Sequence, residues 1–168
     1  RLCKHLHIPL QSGDNKVLKA MNRPYLREEF IEKVLAIKRL YPDISIGSDI
    51  MIGFPIEGLS EFTSTVEVIE KTPLSYVHTF VYSPRPNTVA AQMPLKSSSM
   101  EIKSRSETLI GLSKLKRQAF IESQIGKPNE MIVENRSIDG FEGTTTNYIK
   151  VAVMPVVAVN EKDLLAIR

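Results

Sequence analysis

The chain has 168 residues, of which 42% are hydrophobic and 24% are charged, and its net charge is +3. This length and composition are typical of one soluble globular domain with a small second module, and no apolar run approaches the roughly 20 residues of a membrane helix. The first residues lack the apolar core of a signal peptide. A single cysteine, Cys3, excludes an internal disulfide and any metal cluster built from several cysteines of this chain. We therefore expect a cytoplasmic protein that does not contact a membrane.

The first three quarters of the chain alternate between short apolar strands and amphipathic helices. This order predicts an α/β fold with a parallel sheet, with helices 27–41 and 60–71 packed on one face. The helix-stopping residues are prolines, and Ser98 or Ser99 is expected to cap the last helix. The predicted strands are 4–10, 44–52 and 76–82, and the predicted helices are 15–21, 27–41, 60–71 and about 98–124, with one helical turn at 89–92.

The sequence changes character after Gly126, where short β-branched segments alternate with glycine-containing turns. Segments 130–134, 144–153 and 156–159 are predicted strands. The first 122 residues carry an excess of cations, whereas the remainder carries a slight excess of anions. We expect a barrel-like, all-β module over residues 125–168 and an α/β domain over residues 1–124.

Polar residues lie at the ends of the three predicted parallel strands. In such sheets ligands bind beyond the carboxyl ends of the strands, where the sequence places Gln11, Asp49 and Ser83. A carboxylate within an apolar strand needs a partner, so Asp49 either contacts a ligand or caps a neighbouring loop. Gln11 either binds a ligand through its amide or belongs to a strand-ending turn.

Other candidate residues have ordinary structural interpretations as well. His5 and His7 point to the same strand face, but without a third ligand nearby in sequence we interpret them as core or loop-bonded histidines and predict no metal site. Arg85, between two prolines, is either an anion-binding residue or a solvated loop cation. The basic residues of the long helix form either a solvated face or an RNA contact; they are Lys103, Arg105, Lys114, Lys116 and Arg117.

Three segments carry a resemblance to a known family: HLHIPLQSGDNKVLKAMNRPY, SDIMIGFP.E and HTFVYSPR..T.AAQM. Over residues 3–124 they resemble the radical S-adenosylmethionine methylthiotransferases, iron–sulfur enzymes that insert a methylthio group into an unactivated C–H bond. The resemblance implies the C-terminal half of a radical-SAM barrel, a partial TIM-type barrel with parallel strands. The leading HLH and the segment HTFVYS are more similar to the branch that acts on N6-threonylcarbamoyladenosine in tRNA.

The resemblance also implies a binding site for S-adenosylmethionine along the strand ends. It implies ribose contacts for Gln11 and Asp49, and a contact between the Arg23 guanidinium and the methionine carboxylate of the cofactor. It also implies that Gly53 and Phe54 form the glycine turn of the site. Tyr82 and Ser83 would lie at the strand end on the adenine side.

The sequence departs from the family in ways that limit its chemistry. The cysteines that hold the family's 4Fe-4S clusters are absent, so the clusters and their ligands belong to a full-length parent only, and we expect no catalytic residue and no catalysis from this fragment alone. Where the family has Gly-Glu-Thr after GFP, this chain has Ile56-Glu57-Gly58, so the glycine and the threonine are replaced and the glutamate is kept. Asn87 and Val89 replace a usual glycine and a usual proline.

The last 45 residues resemble the family's TRAM-like, tRNA-binding β module, although their charge is unfavourable for RNA. The residues expected to contact nucleic acid are Arg85, Lys114, Lys116, Arg117, Thr145 and Asn147. The expected partner is tRNA, and half a barrel leaves two strand edges through which self-association is expected.

The resulting prediction is a fragment of a tRNA methylthiotransferase that modifies C2 of N6-threonylcarbamoyladenosine next to the anticodon. The alternatives are an enzyme acting on isopentenyladenosine in tRNA, an enzyme acting on a ribosomal protein, and a non-catalytic fragment that binds a nucleotide or a protein.

Overall fold

The computed structural model describes residues 3–137, 140–154 and 163–167. Among these residues no helix combines the length and hydropathy needed to cross a membrane. The elements alternate first between strands and helices and then continue as strands only. They are β1 (His5–His7), α1 (Asn15–Ala20), α2 (Arg27–Leu40), β2 (Ser45–Ile52), α3 (Leu59–Lys71), β3 (Tyr76–Val81), a 3₁₀ turn (Val89–Gln92), α4 (Ser99–Glu122), β4 (Asn129–Ser137), β5 (Gly140–Thr145), β6 (Lys150–Val153) and β7 (Leu164–Ile167).

The first three strands form a parallel sheet in the order β1-β2-β3. This confirms the predicted parallel, adjacent arrangement. His7 pairs with Gly47, and Asp49 pairs with His78, so residues from all three strands lie side by side on one face. The two outer strands, β1 and β3, are the edges of this sheet.

Alternation along β2 separates a helix-packed face from an open one. Ile46, Ile50 and Ile52 are at most 1% exposed and belong to the core that contains side chains of α2, α3 and α4. The helices therefore cover one face, as predicted. The opposite face, which we call the inner face, carries Asp49, half-buried, and Phe80, exposed.

The first strand is shorter than its apolar pattern predicted. Proline has no backbone N–H, so the regular ladder ends before Pro9. Beyond it the chain stays beside β2 through single contacts: the N–H of Leu10 donates to Ser48 Oγ at 3.1 Å, and the N–H of Gln11 donates to the carbonyl of Asp49 at 2.8 Å.

The N-caps of α1 and α4 follow the sequence signals, whereas α3 begins at Leu59 with Gly58 as its N-cap and not at the expected cap Ser60. Asp14 accepts hydrogen bonds from the N–H groups of Lys16 and Val17 at the start of α1. Ser98 and Glu101 form a reciprocal capping box at the start of α4.

The remaining strands form an antiparallel sheet in the order β6-β5-β4-β7. Met131, Val133 and Phe141 make a small core of their own. The predicted strand 144–153 is interrupted, because the chain turns at 146–149 and Tyr148 adopts a left-handed φ of 66°. The predicted strand 156–159 lies outside the described residues. Neither sheet closes into a barrel within the described ranges.

Candidate cofactor-binding rim and inner face

A cavity of about 630 Å³ lies at the carboxyl ends of β2 and β3. The end of α1 and the loop that follows β3 complete its walls. The structure brings four of the seven predicted cofactor residues to this cavity, which we call the rim cavity: Arg23, Phe54, Tyr82 and Ser83, together with Arg85. Its volume is within the range typical of small-molecule sites.

One residue in the wall of the rim cavity, Tyr82, has a polar atom without a hydrogen-bond partner among the described residues. This atom is its hydroxyl oxygen, which is buried. Its ring meets Phe54 edge-on, with the ring centroids 5.4 Å apart. Buried hydroxyls normally have a partner, so Tyr82 is an exception in this wall.

Gly53 shapes the turn that leads from β2 to Phe54. Its φ is +77°, and a Cβ there would lie 2.8 Å from the side chain of Ile102. The predicted role of Gly53 therefore has a backbone reason, because this conformation strains any other residue.

Glu57 anchors the same turn and was not among the residues predicted for the site. It is 1% exposed, and its Oε1 accepts a 3.0 Å hydrogen bond from the Gly53 N–H. Burial raises the pKa of this carboxyl, opposed by the Gly53 bond and by Arg105. Arg105 lies 3.5 Å away and also donates to Ser97 Oγ at 2.8 Å. An acidic residue four positions after Gly53 was the available sequence signal.

The remaining two predicted cofactor residues lie beside the rim cavity rather than in its wall. Gln11 has a left-handed φ of 69° and bridges to β2, where the Met51 N–H donates to its carbonyl at 2.9 Å. Asp49 lies on the inner face, with Oδ1 2.8 Å from Nε2 of His7 and 3.8 Å from Nδ1 of His78. Met51, next to both, lines the rim cavity.

The two neighbouring histidines have different environments. His5 Nε2 lies 2.8 Å from the hydroxyl of Tyr76, and its ring stacks on Tyr148 at 4.3 Å. Burial and the nearby His7 lower the pKa of His5. The Tyr76 ring fits over Gly47, where a Cβ would be 2.3 Å from it. His5 is thus bonded within the structure, as expected from the sequence, whereas His7 lies beside Asp49 and His78.

Most of the residues predicted to contact RNA are engaged within the chain. Lys116 donates to the carbonyls of Glu70 and Thr72, and Arg117 donates to the carbonyl of Tyr148. Burial lowers the pKa of Lys116. Arg105, from the same basic set, is buried against Glu57.

The two predicted RNA-contacting residues of the antiparallel sheet are also internal. Thr145 and Asn147 are buried and joined by a 2.7 Å hydrogen bond, and Asn147 donates to Gln124. Of the predicted RNA-contacting residues, Arg85, in the loop after β3, and Lys114, in α4, are therefore the ones exposed to a partner.

Known proteins that are similar in sequence to this chain carry the same name in different organisms. A protein of Helicobacter pylori (strain Shi470) named tRNA-2-methylthio-N(6)-dimethylallyladenosine synthase is 40% identical over 163 residues, covering 90% of this chain and 36% of the relative. A protein of the same name from Pelotomaculum thermopropionicum is 36% identical over 140 residues, covering 83% of this chain and 31% of the relative. The comparisons support the methylthiotransferase family.

These methylthiotransferase relatives do not support the threonylcarbamoyl branch favoured by the sequence motifs. The chain spans about a third of the length of the relatives that it matches. No family model matches it.

Proposed function

We propose that this chain is part of a tRNA methylthiotransferase, in which its rim cavity binds S-adenosylmethionine. The observation that carries the proposal is the meeting of Arg23, Phe54, Tyr82 and Ser83 around one cavity. A guanidinium suits the carboxylate of the methionine moiety, and aromatic edges with a hydroxyl suit the adenosine moiety.

The proposed division of work follows from the cysteine content. One cysteine cannot hold the 4Fe-4S cluster of this family, so the cluster would be bound by a part of the enzyme beyond these residues. S-adenosylmethionine supplies the radical and the methyl group in such enzymes. The residues of this chain bind and orient the cofactor: Arg23 holds its charged end, Gln11 and Asp49 lie towards its ribose, and Gly53 with Glu57 fixes the turn beside it.

The proposed substrate is an adenosine of tRNA that receives a methylthio group at C2. The names of the relatives favour N6-dimethylallyladenosine, the isopentenyl form, over the threonylcarbamoyl form. Arg85 at the rim cavity and the exposed Lys114 are the proposed phosphate contacts. We further propose that residues 1–124 are half of a radical-SAM barrel, that residues 125–168 are a TRAM-like module, and that the enzyme is cytoplasmic.

Mass spectrometry of tRNA nucleosides tests this proposal. Cells lacking the gene that encodes this chain are expected to accumulate N6-dimethylallyladenosine without the methylthio group, and the wild-type gene restores it. Arg23→Ala is expected to fail to restore it. Arg39→Ala, which removes an exposed cation at the end of α2, is the matched control.

Other outcomes would favour the alternatives. Unchanged dimethylallyl nucleosides with a loss of methylthio-threonylcarbamoyladenosine would favour the other tRNA branch. Unchanged tRNA with a ribosomal protein lighter by one methylthio group would favour a protein substrate. No change in either would contradict the proposed enzymatic function.

A further inference from the structure

Three potential metal ligands meet on the inner face, one from each parallel strand. His7 is in β1, Asp49 is in β2 and His78 is in β3. The register brings them together, because Asp49 pairs directly with His78 and His7 lies beside Gly47, two residues before Asp49. Their ligand atoms all lie within 4.8 Å of one another.

We propose that His7, Asp49 and His78 form a binding site for one divalent transition-metal ion of the zinc type. Two imidazoles and one carboxylate favour zinc, cobalt or nickel over magnesium or calcium, which prefer all-oxygen sites. None of these three residues lines the rim cavity, and the inference does not rest on the proposed methylthiotransferase function.

The distances are close to those of a metal-bound arrangement. Ligand atoms about 2.1 Å from one metal ion lie about 3.0–3.4 Å from each other at octahedral to tetrahedral angles. The observed separations from Asp49 Oδ1 are 2.8 Å to His7 and 3.8 Å to His78. Small rotations of the exposed His78 side chain would close the remaining gap, since it lies near the surface of the sheet.

The surroundings orient one ligand and leave room for more. Nδ1 of His7 lies 3.5 Å from the hydroxyl of Tyr76, a neighbour that can orient the ring. The side chains of His7, Asp49 and His78 are 31%, 25% and 57% exposed, so the metal would be accessible from the inner face. A three-ligand site of this kind retains open coordination positions, unlike a closed structural site.

Asp49 can serve both as a metal ligand and as a contact for the ribose of the cofactor. Its two histidine contacts use the same oxygen, Oδ1. A carboxylate has a second oxygen that can accept a hydrogen bond from a ribose hydroxyl. Metal binding and the cofactor contact are therefore compatible in geometry, and they can be tested separately.

Titration of the 168-residue chain with Co²⁺ and Zn²⁺ tests the proposal. We expect one ion per chain and visible ligand-field bands for Co²⁺ on binding. His78→Ala is expected to weaken binding by about tenfold or more, the scale of losses around metal sites. Its side chain is exposed, so the variant is expected to fold; circular dichroism checks this.

Two control variants separate this site from other ligands of the chain. His5→Ala removes a histidine of the same face that lies beside the Tyr76 hydroxyl and is not one of the three proposed ligands. This variant is expected to retain metal binding. Cys3→Ser removes the exposed thiol and is also expected to retain binding. Binding that survives His78→Ala, or that is lost with Cys3→Ser and accompanied by a near-ultraviolet thiolate band, would overturn the proposal, as would the absence of saturable binding.

Discussion

Arg117 and Tyr148 join the parallel sheet to the antiparallel sheet. The guanidinium of Arg117, on α4, donates to the backbone carbonyl of Tyr148, in the turn between β5 and β6. It also lies 5.6 Å from the ring centroid of Tyr76, in β3, and the Tyr148 ring stacks on His5, in β1. A residue predicted to contact RNA is therefore part of the connection between the two sheets.

Replacing Arg117 is expected to reduce the stability of the chain. Arg117→Ala removes the hydrogen bond to Tyr148 and the contact with Tyr76, and we expect a loss of about 1–2 kcal/mol in the free energy of unfolding. Lys103→Ala, on an exposed position of the same helix, is the control and is expected to change little. Urea unfolding measures both; equal effects would show that the contact contributes nothing.

The Gly53 turn offers a paired glycine experiment. Gly53→Ala is expected to destabilise the chain by about 1–3 kcal/mol, because it places a Cβ against Ile102 at a left-handed φ. Gly111, within α4, has nothing within 4 Å of a Cβ. Gly111→Ala is therefore expected to stabilise the chain by about 0.5–1 kcal/mol through helix propensity. Opposite signs in thermal unfolding are predicted, and a shared sign would contradict the described turn.

The buried Glu57 predicts a pH dependence of stability. Burial raises its pKa above the ordinary value of 4.5, so the folded chain holds this proton more tightly than the unfolded chain. The contribution of Glu57 to stability is therefore greatest below pH 4.5 and declines as pH rises through the higher folded pKa.

The variant Glu57→Gln isolates this effect. It lacks the titrating group, so the stability of the wild type relative to the variant is expected to fall as the pH rises above about 4.5. Denaturant unfolding at a series of pH values measures the difference. A difference that stays constant or grows with pH would contradict the assignment.

Salt dependence tests the proposed RNA contacts. Each phosphate neutralised by a cation contributes about 0.7–0.9 to the slope of log affinity against log salt. In the proposed full-length tRNA-modifying enzyme, Lys114→Ala is expected to reduce the slope by about that amount. Lys116→Ala is expected to leave it unchanged, because Lys116 already donates to two backbone carbonyls. The reverse pattern would indicate that Lys116 leaves these carbonyls to bind RNA.

Local signals predicted the helices and the three parallel strands, but they misplaced strands of the antiparallel sheet and gave little information on contacts between distant residues. The Ser98 cap and the helical periodicities depend on neighbours in sequence, and the structure confirms them. The meeting of His7 with His78 depends on strand register, and the burial of Glu57 depends on α4 packing against the turn. Neither can be obtained from the spacing of residues within one segment, so the sequence analysis missed His78 beside His7 and Glu57 at the Gly53 turn.

The proposed cofactor site could be predicted only through the family resemblance. Composition and periodicity place Gln11, Asp49 and Ser83 at strand ends, but they do not distinguish the rim cavity from the inner face. The structure separates these places, with Ser83 at the cavity and Asp49 beside His7. Side-chain direction at the end of each strand is the information that the sequence pattern lacks.

Calorimetric titration with S-adenosylmethionine tests the central claim most directly. In the proposed full-length enzyme, Arg23→Ala and Asp49→Ala are each expected to weaken binding by about 1–3 kcal/mol, the range for losing a hydrogen bond to a charged group. Arg39→Ala is expected to bind as the wild type does. Unchanged affinity for Arg23→Ala in a folded protein would contradict the assignment of the rim cavity as the cofactor site.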